Sequence, residues 1–161
     1  MTTPPAARRS AEEQGRLEAA LVDLFDRQIT FNQTLGLRVV QLTPPVQLAF
    51  EMRPELVGHF LFGRLHGGVI SSALDAMGGF ALMVAIGEKH ADERAEQVLH
   101  RFARMGTIDL RVDFLRQGIG QRFVASAEVT RLGGRVGSTQ MRLVNEQGTL
   151  IATGAAAYMI A

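Results

Sequence analysis

The spacing of apolar positions changes twice along this chain, and the changes divide it into helix, strand and buried-helix stretches. From Ala11 to about Phe31, Leu17, Leu21, Leu24, Phe25 and Ile29 recur at helical spacing. They predict an amphipathic helix that rests one stripe on the body of the protein and is ended by Gly36. Leu37 to Leu42 and Val46 to Met52, separated by Pro44-Pro45, read as a strand pair, which Pro54 closes. Phe60 to Leu65 reads as an apolar loop leading into His66-Gly67-Gly68. The run of apolar and small residues that follows predicts a long buried helix from about Gly67 to Ala85.

Glu88 to Arg104 carries eight charged residues and predicts a short exposed helix, serving either as a lid or as a connection. The period then becomes two. Ile108, Leu110, Val112 and Phe114 alternate with Thr107, Asp109, Arg111 and Asp113, the pattern of a half-buried antiparallel strand. Arg122 to Leu132, Arg135 to Val144 and Thr149 to Ile160 predict three more, with hairpin turns at Leu132-Gly133-Gly134-Arg135 and Asn145-Glu146-Gln147-Gly148. The fold class is therefore α+β: an antiparallel β-sheet wrapped around a long central α-helix, with an extra N-terminal helix. Such short connections favour a meander of neighbouring strands.

At 161 residues and 47% apolar, the chain suits one domain, expected over 11–161 after a disordered N-terminal tail over 1–10. The formal charge is only +1 and the arginines are scattered, so no nucleic-acid partner is expected. The absence of cysteine excludes disulfides, thiolate zinc sites and a cysteine nucleophile. The Met1-Thr2-Thr3-Pro4-Pro5 start lacks the pattern of a secretory signal, and a cytoplasmic location is expected. The Gly67 to Gly87 run approaches membrane-spanning length, yet it holds Asp75, Ser71, Ser72 and several glycines, so a buried helix is expected and no membrane insertion. Four histidines and sixteen acids show no metal-ligand spacing, and no metal or cofactor is assigned.

The candidate chemistry lies at His66-Gly67-Gly68 and Asp75. Glycines opening a helix leave backbone N–H groups uncovered, and the first N–H groups of a helix lack internal partners and sit at its positive end. Asp75 is the one ionisable side chain between Gly67 and Gly87. Carboxylates are seldom placed among apolar residues without a partner or a task.

Leu65-His66-Gly67-Gly68, Asp75 nine positions after the histidine, and this order of elements together resemble the hotdog-fold acyl-CoA thioesterases of the PaaI-like family. The resemblance extends to Phe31-Asn32-Gln33-Thr34-Leu35-Gly36, to the stretch from Met105 to Arg116 and to Ala157-Tyr158-Met159-Ile160. Within the family these segments are most similar to enzymes acting on medium- and long-chain acyl-CoA, so a medium- or long-chain substrate, or else an aromatic one, is expected. The resemblance implies hydrolysis of an acyl-CoA substrate, CoA being part of the substrate rather than a cofactor. It gives Asp75 the role of general base or nucleophile and Gly67 N–H that of polarising the thioester carbonyl. His66 would shape the oxyanion site, and Thr107 would help position water or the carboxylate. Many relatives carry an asparagine where this chain has Phe60, and His59 lies one residue further back. The CoA end is expected near Arg116, Arg131 and the Gly133-Gly134-Arg135 turn. Gly68, Ser71 and Gly79 would admit substrate, or else a neighbouring helix.

With these roles, Gly67 and Asp75 would be separated by roughly 12 Å along one helix, at about 1.5 Å per residue. One thioester cannot touch both, so donor and carboxylate would come from two copies across a twofold axis, in a homodimer that could pair into a dimer of dimers. Two rival readings carry different expectations. A hotdog hydratase or dehydratase would use His66 in an acid–base pair, and a non-catalytic acyl-CoA-binding protein would need no reacting carboxylate.

Overall fold

The computed structural model describes residues 7–160. Six antiparallel strands form one sheet, and the helix predicted from the apolar run lies across it. In chain order the elements are α1 (Ala11–Asp23), α2 (Thr30–Leu35), β1 (Arg38–Gln41), β2 (Val46–Glu51), β3 (Val57–His59) and β4 (Arg64–Leu65). Then come α3 (Gly67–Lys89), α4 (Ala95–Arg101), β5 (Gly106–Phe114), β6 (Arg122–Leu132), β7 (Val136–Asn145) and β8 (Leu150–Met159). The spatial order is β1-β2-β6-β7-β8-β5, and β3 and β4 form a separate short hairpin ahead of α3.

Helix α3 is apolar nearly all round, as a helix buried in a core must be. Ile70, Leu74, Met77, Phe80, Leu82 and Ile86 are buried in the core, and each such side chain contributes about 1.5–3 kcal/mol on removal from water. Although α3 is long and apolar enough to cross a membrane, it is the core helix of this fold. Gly78 and Gly137 make the closest approaches possible: a Cβ on Gly137 would stand 2.5 Å from Leu82 Cδ2.

Two elements differ from expectation. The single helix to Phe31 is interrupted: Leu24–Gln28 winds with a wider π-type turn and Ile29 leaves the helix before α2 begins. The interruption sets Phe25 against Phe80, with ring centroids 4.6 Å apart, and lets Asp26 Oδ1 accept the Val39 N–H. Gly36 does end the segment, in a left-handed conformation with φ 74°. The short helix between Glu88 and Arg104 is α4, which exposes Glu96, Gln97, His100 and Arg101 as expected and packs on α1 with Ala95 and Val98 buried. Strand β5 pairs with β8 at the edge of the sheet, so only β6-β7-β8 form the expected meander. Leu110 and Val112 pack partly buried against the core, while Ile108 and Phe114 toward the two ends of the strand are 58% and 55% exposed.

Of the tail expected over 1–10, residues 1–6 lie outside the described residues. Arg9 is docked: its backbone N–H donates to Ala91 O at 2.5 Å, and its guanidinium donates to the carbonyls of Gly87, His90 and Glu93 around the C-terminal end of α3. Ser10 then caps α1 by accepting from Glu13 N–H at 3.2 Å.

Candidate active site

At the start of α3, His66 is the N-cap, with extended backbone, and its Nδ1 accepts the Gly68 N–H at 2.9 Å. His66 O accepts from Val69 and Ile70 N–H at 3.0 and 3.3 Å. The two glycines are thereby distinguished. Gly68 has spent its donor on the cap, whereas the Gly67 N–H has no partner among the described residues. Gly67 lines a cavity of about 530 Å³ together with Gly58, Arg64, His66, Phe114 and Arg116. Gly58 is needed for this geometry, because a Cβ there would stand 2.4 Å from His66 Cα. The positive end of α3, one free N–H and two arginines make this cavity suited to an oxygen that gains negative charge.

Two turns further along α3, Asp75 is half-buried, and the Thr107 hydroxyl on β5 donates to its Oδ1 at 2.8 Å. The Tyr158 hydroxyl on β8 donates to the Asp75 backbone O, also at 2.8 Å. Burial, and then the nearby Asp75 charge, push the Tyr158 phenol well above its ordinary value of 10.0, so it keeps its proton and remains a donor. Tyr158 escaped the residue-level reading of the sequence. Its signal was that it is the chain's only tyrosine, placed in an otherwise apolar strand.

Within one chain the donor and the carboxylate stand apart. A Cβ on Gly67 would touch the Phe114 ring at 3.4 Å, which places Gly67 at one end of β5, while Thr107 holds Asp75 at the other. The axial separation along α3 is roughly 12 Å at about 1.5 Å per residue.

The remaining candidates are dispersed. His59 is half-buried, its ring stacked between Phe60 and Phe62 at centroid distances of 5.6 and 4.8 Å, and its Nδ1 is buried with no partner among the described residues. Phe60 itself is 88% exposed and lines neither cavity described here. The Ser71 hydroxyl donates back to Gly67 O at 3.0 Å, a bond within its own helix. Gly79 lies beside Tyr158, where a Cβ would meet Cε1 at an ordinary 3.7 Å. Arg116 faces the Gly67 cavity and donates to Leu150 O at 3.0 Å. Arg131, Gly133, Gly134 and Arg135 sit at the opposite end of α3, where Lys89 Nζ donates to Gly133 O at 3.3 Å. One chain therefore does not gather Arg116 and that turn around a single site. A larger cavity of about 1240 Å³, between α1, the β1–β2 turn and the second half of α3, contains none of the candidate residues.

The sequence profile of the thioesterase superfamily matches residues 62–152. The medium/long-chain acyl-CoA thioesterase YigI of Escherichia coli (strain K12) is 38% identical over 139 residues, covering 86% of this chain and 90% of the relative. A crystal structure from Shewanella oneidensis, described as related to the thioesterase superfamily, superposes with TM-score 0.86 at 36% identity, covering 95% of this chain and 100% of that one. Thioesterase superfamily member 2 from Mus musculus, 19% identical, shares the fold with TM-score 0.68 over 95% of this chain and 100% of its own. The profile covers more than half of the sequence and includes both the His66-Gly67-Gly68 cap and Asp75, and the sheet closes on its helix as in these relatives. The chain belongs to the thioesterase superfamily and is a hotdog-fold thioester hydrolase.

Proposed function

We propose that this protein hydrolyses medium- or long-chain acyl-CoA to the free acid and CoA, with Asp75 as the reacting carboxylate and Gly67 N–H as the oxyanion donor. The observation that carries the reading is the Thr107 hydrogen bond to Asp75 Oδ1, which orients a carboxylate on an otherwise apolar helix. The free Gly67 N–H supplies stabilisation as charge develops on the thioester carbonyl oxygen. As general base, Asp75 takes a proton from water while the water oxygen adds to the carbonyl; the C–S bond then breaks and the proton follows to the departing thiolate. As nucleophile, its oxygen bonds to the carbonyl carbon as the thiolate leaves, and water then opens the anhydride. CoA is a good leaving group in either form, so the site requires no strong acid.

The catalytic unit in this reading is a homodimer, and the free edge of β5 supports it. An antiparallel pairing of two β5 edges runs the Phe114 end of one copy toward the Thr107 end of the other. That brings the Gly67 donor beside Phe114 toward the partner's carboxylate. It also covers apolar side chains that one chain leaves exposed. Two such dimers could pair, and a cytoplasmic location fits the cysteine-free composition. The hydratase alternative is disfavoured by His66, whose Nδ1 is committed to the helix cap and which has no carboxylate partner among the described residues.

The test is release of CoA thiol from acyl-CoAs ranging from acetyl through aromatic to long-chain, with wild type and Asp75→Asn side by side. Release that rises toward medium and long chains and is lost in the variant, with acyl-CoA binding retained, is the expected result. Full turnover in Asp75→Asn refutes the assignment, and no release from any thioester favours the hydratase or binding-protein alternative.

A further inference from the structure

We infer that Tyr158 is a positioning residue for Asp75, acting with Thr107 as a two-handed clamp on the carboxylate-bearing turn of α3. The inference rests on the reading of Asp75 as the reacting group. Thr107 and Tyr158 are direct cross-strand partners in the β5–β8 ladder, so their side chains leave the sheet on one face. Both end on the same residue: the Thr107 hydroxyl holds Oδ1 of the carboxylate, and the Tyr158 hydroxyl holds the main-chain carbonyl, each at 2.8 Å. One grip fixes the head of the side chain and the other fixes its root.

The surroundings are shaped for this contact. Tyr158 is 3% exposed. It reaches the helix backbone only because residue 78 is glycine: a Cβ there would lie 2.3 Å from the Tyr158 hydroxyl, 2.7 Å from Met141 Sδ and 2.7 Å from Thr139 Oγ1. The Thr139 hydroxyl beside it donates to Met141 Sδ at 3.0 Å, and the phenol proton goes to the Asp75 carbonyl. The elevated phenol keeps that proton in place across the working range. A phenylalanine would fill the same space without the bond to the Asp75 carbonyl.

The carboxylate must stand within about 3–3.5 Å of the reacting carbon or water, and a displacement of about 1 Å can cost on the order of 100-fold in rate. Release of one grip is a smaller displacement. Tyr158→Phe is expected to lower kcat about tenfold with KM within about twofold of wild type, at unchanged far-ultraviolet circular dichroism. Thr107→Val should also lower kcat, and the double variant should lose less than the product of the two. Because the chain holds one tyrosine, 3-fluorotyrosine labelling adds a readout that does not depend on Tyr158→Phe folding. Its single fluorine resonance should shift in both Asp75→Asn and Thr107→Val. Wild-type kcat in Tyr158→Phe, a rise in KM that accounts for the whole loss, or a resonance unmoved by both substitutions overturns the clamp. Asp75→Asn separates the two levels: if it is inactive while Tyr158→Phe is fully active, only the clamp fails, and if it is fully active, the assignment of Asp75 fails as well.

Discussion

Two adjacent glycines on α3 should respond to alanine with opposite signs. Alanine favours a helix interior over glycine by about 0.8–1 kcal/mol, so both substitutions begin with that gain. At Gly79 the new methyl would meet Tyr158 Cε1 at 3.7 Å, ordinary contact, and the gain should survive. At Gly78 the methyl would lie under 3.0 Å from three atoms of Tyr158, Met141 and Thr139. The tyrosine cannot yield without releasing the Asp75 carbonyl, because its ring is packed and its hydroxyl is bonded there. Overpacking at the upper end costs about 3 kcal/mol and the lost hydrogen bond about 1 kcal/mol, which leaves a net destabilisation of about 3 kcal/mol after the helical gain. At about 2–4 °C per kcal/mol for a chain of this size, Gly78→Ala should lower Tm by about 6–12 °C and Gly79→Ala should raise it by about 2–4 °C. Thermal unfolding followed by circular dichroism, at one protein concentration because the proposed dimer would make Tm concentration-dependent, measures both. A stabilised Gly78→Ala would refute the packing argument. A destabilised Gly79→Ala would show that this face of α3 is packed against something outside its own chain.

Further outcomes follow from the same geometry. Gly67→Pro should fold, because proline suits the first helical position and His66 already has the extended backbone a following proline requires (φ −66°, ψ 138°), yet it removes the proposed oxyanion donor. Its CoA release should fall at least about 100-fold. Co-refolding it with Asp75→Asn should restore up to about a quarter of wild-type activity, since each mixed dimer regains one intact site; no recovery would argue against a site shared between copies. The Arg101 guanidinium, hydrogen-bonded to Glu93, holds that carboxyl below its ordinary value of 4.5. A depressed carboxyl stabilises the fold above its unfolded value and loses that contribution as pH falls through the lower folded value. Urea midpoints should therefore fall more steeply below about pH 4.5 in wild type than in Arg101→Ala, and parallel curves would exclude the pair as a source of acid sensitivity.

Much of the fold was legible because it rests on local period. The apolar run that became α3, the hairpins of β6, β7 and β8, and the stop at Gly36 each depend on neighbours in sequence. The alternation along β5 showed which side chains share a face but not what covers that face, so an edge strand was read as half-buried. The break at Leu24–Gln28 escaped for a related reason, since what it serves is the contact of Phe25 with Phe80, a residue far along the chain. At the site, His66, Gly67 and Asp75 stood out by their contrast with apolar surroundings. The unequal fates of Gly67 and Gly68 depend on which way the His66 ring turns, and Tyr158 gains its place only through the register of β5 against β8. The resemblance groups Arg116 with the Arg131 to Arg135 turn at one CoA end, and within one chain these lie at opposite ends of α3.

The bonds that hold Asp75 span 32 and 83 residues of sequence. Helix α3 can wind from local contacts, but its carboxylate is aimed only after β5 and β8 have zipped together, the kind of distant pairing whose loop-closure cost makes it slow. A partly assembled chain would thus be helical and silent. The onset of thioester cleavage during refolding becomes a clock for sheet closure, lagging behind the recovery of helical signal.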